Sequence, residues 1–289
     1  MRYMLLRRSD RGHEEGKQPP ASALAALQAY TDSMQEAGVL RASESFLPSA
    51  HGVRLKLGDA AQLMDGPFAD PKEMIAGFAI IDVPGKEEAL DWLRRWPAED
   101  DGAEIELREG GCPGGCAEVR AEPGIVPVGK RYAVLLRSSR DLEDETPVAQ
   151  ARLDTLDAHN AREAKAGVLL AADGLRTTAR GARVKMAAGK LSVVDGPFTE
   201  IKELIAGYWL IRVASLDDAI AWAKRNPYPC GPEVEVEIRE VAEQAVAGTA
   251  AQGDPAFTPA LREAEQRMRA QQLESGMQAQ LTARAPAWR

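Results

Sequence analysis

The tetrapeptide Asp65-Gly66-Pro67-Phe68, entered from Leu63-Met64, recurs as Asp195-Gly196-Pro197-Phe198, entered from Val193-Val194, 130 residues further on. The agreement continues in register, with Lys72-Glu73-Met74-Ile75-Ala76-Gly77-Phe78 matching Lys202-Glu203-Leu204-Ile205-Ala206-Gly207-Tyr208. Upstream, Leu5-Leu6-Arg7 pairs with Leu135-Leu136-Arg137, Gly38-Val39-Leu40 with Gly167-Val168-Leu169, and Arg54-Leu55-Lys56-Leu57 with Arg183-Val184-Lys185-Met186. Downstream, the stretch Glu104 to Glu109 reappears as Glu235 to Glu240. Self-similarity of this length at a near-constant offset marks a tandem duplication. The chain of 289 residues therefore reads as one repeat over 1–120, a Gly- and Pro-rich linker at 121–129, a second repeat over 130–245, and a tail at 246–289.

Periodicity turns each repeat into elements. Leu24, Leu27, Tyr30, Met34 and Ala37 fall at helical spacing and stop at Gly38; Leu153, Leu156, His159 and Ala166 stop likewise at Gly167. A strand precedes and follows each helix. A hairpin comes next, Gly52 to Leu57 turning at Gly58-Asp59 into Gln62 to Met64, with Gly189-Lys190 as the corresponding turn. After the tetrapeptide, Gly77 to Val83 is a strand, Lys86 to Arg95 a helix and Glu104 to Arg108 a closing strand. The order βαβ, hairpin, βαβ predicts an α+β fold of two ferredoxin-like repeats, each an antiparallel sheet with both helices on one face. Phe78-Ala79-Ile80-Ile81 is apolar on both sides, so the free faces of the two sheets are expected to pack together as an intrachain dimeric α/β-barrel. In the tail, Thr258-Pro259 begins a helix carrying Leu261, Met268, Leu273, Met277 and Leu281, placed either across the two repeats or against another chain in self-association.

Composition narrows the function classes. A formal net charge of −8 with no basic stripe argues against nucleic acid. No apolar run approaches the ~20 residues of a membrane span, and Met1 to Arg8 lacks the features of a signal peptide. These features predict a cytoplasmic protein without a membrane partner. Of three cysteines, Cys112 and Cys116 sit four apart and could form a redox pair or bind metal, but no second Cys/His pair completes a tetrahedral site. The simpler reading is two incidental thiols in a loop. No metal and no cofactor are expected.

Two readings of the tetrapeptide stand side by side. In one it shapes a turn that ends with Phe68 and Phe198, with Asp65 and Asp195 accepting backbone hydrogen bonds, Gly66 and Gly196 permitting unusual dihedrals, and Pro67 and Pro197 fixing φ. In the other the loop lines a cleft, and Asp65 or Asp195 acts as general acid or base once burial shifts its pKa. Lys72 and Lys202 then hold an anionic small molecule, helped by Arg54 and Arg183 from the hairpins. His159 is a weaker catalytic candidate, more simply read as a buried core histidine. His13 falls in a polar loop and is expected to be exposed.

With the Asp-Gly-Pro-Phe motif and its Lys-Glu-x-Ile-Ala-Gly continuation in both copies, the chain resembles the YCII-related family, in the branch named for that tetrapeptide. Ala219-Ile220-Ala221-Trp222-Ala223-Lys224-Arg225-Asn226-Pro227-Tyr228 is similar to the second-helix signature of shorter members. The resemblance implies a dimeric α/β-barrel and a cleft holding a histidine and an aspartate; the histidine's position falls on Leu156 here. It implies small-molecule binding, with a cofactor-independent lyase, isomerase or hydrolase activity as one form of it. The branch is also similar to proteins encoded beside alternative sigma factors, which implies the alternative of a non-enzymatic regulatory or scaffold role.

Overall fold

A computed structural model describes residues 1–70, 73–113, 115, 119–120, 129–187 and 190–243. Lys72, Cys116, the turn at Gly189, most of the linker and the expected tail helix lie outside the described residues. The first repeat runs β1 (Arg2–Arg8), α1 (Arg11–Glu14), α2 (Ala21–Glu36), β2 (Leu40–Ser45), β3 (Val53–Lys56), β4 (Gln62–Asp65), β5 (Ile75–Asp82), α3 (Lys86–Leu93) and β6 (Glu104–Glu109). A two-residue strand, β7 (Val119–Arg120), precedes the second repeat. That repeat runs β8 (Lys130–Arg137), α4 (Arg140–Glu143), α5 (Gln150–Lys165), β9 (Leu169–Gly174), β10 (Ala182–Ala187), β11 (Lys190–Asp195), β12 (Ile205–Val213), α6 (Leu216–Arg225) and β13 (Glu235–Glu240). The fold is mixed α+β, with two antiparallel sheets and six α-helices among the described residues. None of those helices is long and apolar enough to cross a membrane.

The sheets are not one per repeat. Sheet one has the order β11-β10-β6-β1-β5-β2 and sheet two β4-β3-β13-β8-β12-β9-β7. Each hairpin has left its own repeat and joined the other: β3 pairs with β13, placing Arg54 opposite Glu237, and β10 pairs with β6, placing Arg183 opposite Glu106. The hairpins' own apolar residues show why this holds. Val53 and Leu55 are buried in the second repeat's core, and Ala182 and Val184 in the first's.

Two apolar layers flank a third. Tyr3, Leu5, Tyr30, Met34, Leu90 and Leu93 pack between sheet one and helices α2 and α3. Tyr132, Val134, Leu136, Leu156, Ile220 and Trp222 do the same for sheet two with α5 and α6. Between the sheets, Met4, Leu6 and Phe78 share one buried cluster with Ala133, Leu135 and Tyr208, and the Phe78 and Tyr208 rings lie 5.2 Å apart. The expected packing of sheet on sheet is therefore present.

This geometry corrects the register of the first strand. Leu6 stands opposite Glu106 as Leu135 stands opposite Glu237, and Ser9 and Ser138 donate equivalent hydrogen bonds to Met74 and Leu204. Arg8, not Arg7, therefore corresponds to Arg137. A one-residue shift exchanges the two faces of a strand; the Leu-Leu-Arg match favours the wrong register, while Arg2-Tyr3 with Arg131-Tyr132 and Arg8-Ser9 with Arg137-Ser138 agree with the observed one. The helix stops behave as expected, with Gly38 and Gly167 at φ +70° and +74° closing α2 and α5. His13 departs from expectation: it lies on α1 with Nε2 2.9 Å from the Phe46 carbonyl and Nδ1 2.9 Å from Ser9 Oγ.

Either repeat alone would lose the partner strand of its hairpin and uncover its inner sheet face. Fragments 1–120 and 129–245 are expected to dimerise, exchanging hairpins between copies, or to aggregate. Sedimentation of each fragment checks this, and a stable soluble monomer of either would contradict it.

Candidate functional site

The repeated tetrapeptide is built into a turn whose reason is space. Gly66 donates to the Gly52 carbonyl at 3.0 Å, and Gly196 to that of Gly181 at 3.4 Å. Each glycine passes so close to a short 3-10 turn, Ser49–His51 or Thr178–Arg180, that a Cβ would fall 1.8 Å from Ser49 O or 1.9 Å from Thr178 O. Neither has positive φ, so close approach replaces the expected dihedral freedom as the reason for glycine. The next ordered contact is Phe68 N to Ser49 Oγ, 3.1 Å, repeated as Phe198 N to Thr178 Oγ1, 3.1 Å. Gly66-Pro67 and Gly196-Pro197 are cis. The Ser49 and Thr178 amides are in turn held by Glu14 and Glu143, each at 2.9 Å.

Behind each turn sits a buried charge cluster. Arg54 stacks on the Phe68 ring at 4.3 Å and Arg183 on Phe198 at 4.3 Å. Arg54 Nε donates to Glu237 at 3.0 Å, and its Nη1 to Glu73 at 2.8 Å; Arg183 Nε donates to Glu106 at 3.0 Å. Glu237 also accepts from Arg137 and Arg239, and Glu106 from Arg8 and Arg108. Both glutamates are 1% exposed. Burial opposes their ionisation, yet the three guanidinium groups around each prevail and hold both carboxyls below the usual carboxylate range. Arg54 and Arg183 are thus committed to carboxylates of the opposite repeat and are not free to grip an anionic ligand.

The remaining candidates are dispersed. Asp65 and Asp195 end the outer strands and are exposed; Asp195 pairs with Lys86 at 2.7 Å, whereas the position corresponding to Lys86 is Leu216 in the second repeat. Lys202 is exposed and contributes its carbonyl, not its ammonium, to Arg137 at 2.9 Å. His159 is buried against Trp222, ring centroids 5.7 Å apart, and burial lowers its pKa. It takes the place of Tyr30, which packs on Trp92 in the first repeat. Cys112 is disulfide-bonded, which corrects the reading of an incidental thiol; Cys230 is free.

A cleft lies elsewhere, between α5 and sheet two, enclosing about 710 Å³ when its open mouth is counted. It exists because the strands beneath are lined with small residues: Ala172 stands opposite Trp209, and Gly174 opposite Gly207. Leu156 and Asn160 of α5 form one wall, the loop from Glu145 to Val148 a second, and Cys112-Pro113 a third. Glu145 is at φ 49°, a left-handed conformation that non-glycine residues seldom adopt. Its carboxylate accepts from Arg176 at 2.8 Å, and Asp173 pairs with Arg2 at 3.1 Å. Asn160 and Trp209 escaped the sequence reading because each lies within an apolar pattern already assigned to the core.

The clusters set an acid limit on stability. The folded carboxyls of Glu106 and Glu237 lie below their unfolded value, so their stabilisation is complete above about pH 4.3 and is lost as pH falls through the depressed value. Glu237→Gln should cost about 3–5 kcal/mol by leaving buried guanidinium charge uncompensated. It should also flatten the decline of Tm below about pH 4.3. Thermal unfolding from pH 3 to 7 measures both, and an unchanged Tm would contradict this assignment.

The YCII-related domain matches residues 1–109 and again 131–245. An uncharacterised protein of Rhizobium meliloti is 39% identical over 69 residues, which are 24% of this chain and 56% of that protein. The chain thus spans about half the length of the curated relative it matches. A solved anthrone oxidase-like protein covers 83% of this chain and 91% of its own at 10% identity and a TM-score of 0.29. With both repeats matched over nearly their whole length, the chain belongs to the YCII-related family as a tandem duplication.

Proposed function

We propose that this chain binds a small molecule in the cleft between α5 and sheet two, and that only the second repeat is built for it. The observation that carries this reading is the cleft itself: an apolar recess with a buried amide, Asn160, and two arginine-paired carboxylates, Glu145 and Asp173, in its wall. The family resemblance supports the location, since Leu156, where the family's histidine would stand, is in that wall. With leucine there, the described lining has acids but no imidazole, which favours binding over histidine-dependent acid–base chemistry. In the first repeat the corresponding positions are filled differently. Ala79 replaces Trp209, Thr31 replaces Asn160 and donates to the Leu27 carbonyl, and Arg7 replaces Leu136 and pairs with Asp100.

The same proposal takes each four-stranded unit, β6-β1-β5-β2 and β13-β8-β12-β9, as ferredoxin-like and the pair as a single-chain counterpart of a dimeric α/β-barrel. The strand orders and the shared central cluster support it. Cytoplasmic residence remains part of this reading.

The test uses a fragment library screened against the full chain. Val148→Trp, on a loop position that is not fully buried, should plug the cleft and abolish binding of the hits with a Tm within a few degrees of the parent. Asp65→Asn and Asp195→Asn should leave affinity unchanged. Hits that ignore Val148→Trp but are lost in either aspartate variant would return the site to the tetrapeptide loops.

A further inference from the structure

The cleft contains a hydrogen-bond donor with no acceptor among the described residues. Trp209 Nε1 donates to Asn160 Oδ1 at 3.2 Å, and both side chains line the cleft. An indole nitrogen carries a proton and can only donate, so it fixes which end of the amide faces it. Oδ1 turns to the indole, and the two Nδ2 protons are left to the cleft. Asn160 is 3% exposed, and its side chain makes no other hydrogen bond among the described residues. Nδ2 keeps some access to solvent, so an acceptor on a ligand would replace the amide's hydrogen bond to water with one shielded by the cleft wall, a net gain of about 0.5–1.5 kcal/mol. The surrounding surface is Leu136, Leu156, Ala172, Ala206 and Trp209, which rewards an apolar ligand body.

Charge decides between acceptors. The charged side chains in the described lining are Glu145 and Asp173; no lysine, arginine or histidine is among them. Both carboxylates already have arginine partners, Arg176 at 2.8 Å and Arg2 at 3.1 Å, so they offer little to a cation. An anion entering an apolar recess walled by two carboxylates would lose its hydration without gaining a counter-charge. An uncharged carbonyl oxygen meets the Nδ2 donors at far lower desolvation cost. Resting on the reading that this cleft is the binding site, we propose that Asn160 makes it selective for a neutral, mainly apolar ligand bearing a carbonyl-type acceptor, seated beside Trp209. The anionic ligand expected from the lysines and arginines of the sequence is disfavoured, since none of Lys202, Arg54 and Arg183 is in the described lining.

Three probes of one shape test the selectivity: acetophenone, ethylbenzene and benzoate, titrated into the full-length protein and followed by two-dimensional amide NMR. Acetophenone should bind about tenfold more tightly than ethylbenzene, the worth of one hydrogen bond of ~1.4 kcal/mol, and benzoate should bind more weakly than acetophenone. Asn160→Leu, similar in size but without donors, should remove the difference between acetophenone and ethylbenzene. Asn160→Asp, which replaces donors with a carboxylate, should weaken acetophenone at neutral pH and gives a second route should the leucine variant fold poorly. Equal affinities for acetophenone and ethylbenzene in the parent, or a preference that survives Asn160→Leu, would overturn the proposal while leaving the cleft as the site. Probes that bind with shifts away from α5 and β12, unaffected by Val148→Trp, would instead overturn the reading of the cleft.

Discussion

Arg54 reaching Glu237, and Arg183 reaching Glu106, are the contacts on which the architecture depends. Each pair joins a hairpin of one repeat to the closing strand of the other, and each carboxylate is shared with two further arginines of its own repeat. An isolated buried ion pair seldom adds net stability, because desolvation offsets attraction. Here each cluster ties a hairpin to the sheet that receives it, because removing one member leaves buried charge uncompensated. Each exchanged hairpin supplies the third guanidinium around a buried glutamate of the other repeat while its arginine stays stacked on the phenylalanine of its own turn.

The tetrapeptide follows from that constraint. It brings the chain from the outer hairpin strand back to the central strand of its own repeat while passing against a 3-10 turn. The glycine permits the approach, and the phenylalanine forms the platform for the arginine. The aspartate remains outside at the strand end. A short motif recurring in both repeats therefore marks the joint between repeats, and the recess able to accept a ligand lies on the other side of sheet two, under α5.

Much of this was legible in the sequence. The duplication, the helix stops at Gly38 and Gly167, the hairpins and the packing of sheet on sheet all follow from periodicity and turn chemistry, which are local or depend on a face being apolar. The exchange of hairpins was not. Val53 and Leu55 present the same alternating pattern to either sheet, and nothing local says which one receives them. The register of β1 was hidden by its repeated leucines. Glu106, Arg108, Glu237 and Arg239 carried a signal that went unread: charged residues recurring at equal places in both closing strands, on strands that are central in their sheets. Asn160 was concealed beside His159 on a stripe assigned to the core. Its role depends on Trp209, a residue 49 positions away that only the fold brings near.

The division of labour between joint and recess is the central claim, and ligand-induced shifts in a two-dimensional amide spectrum of the full chain test it most directly. A bound small molecule is predicted to move the Trp209 indole N–H and the Asn160 side-chain amide, with the backbone amides of Asp65, Gly66, Phe68, Asp195, Gly196 and Phe198 unmoved. Shifts concentrated on those six amides, with Trp209 and Asn160 unchanged, would contradict it.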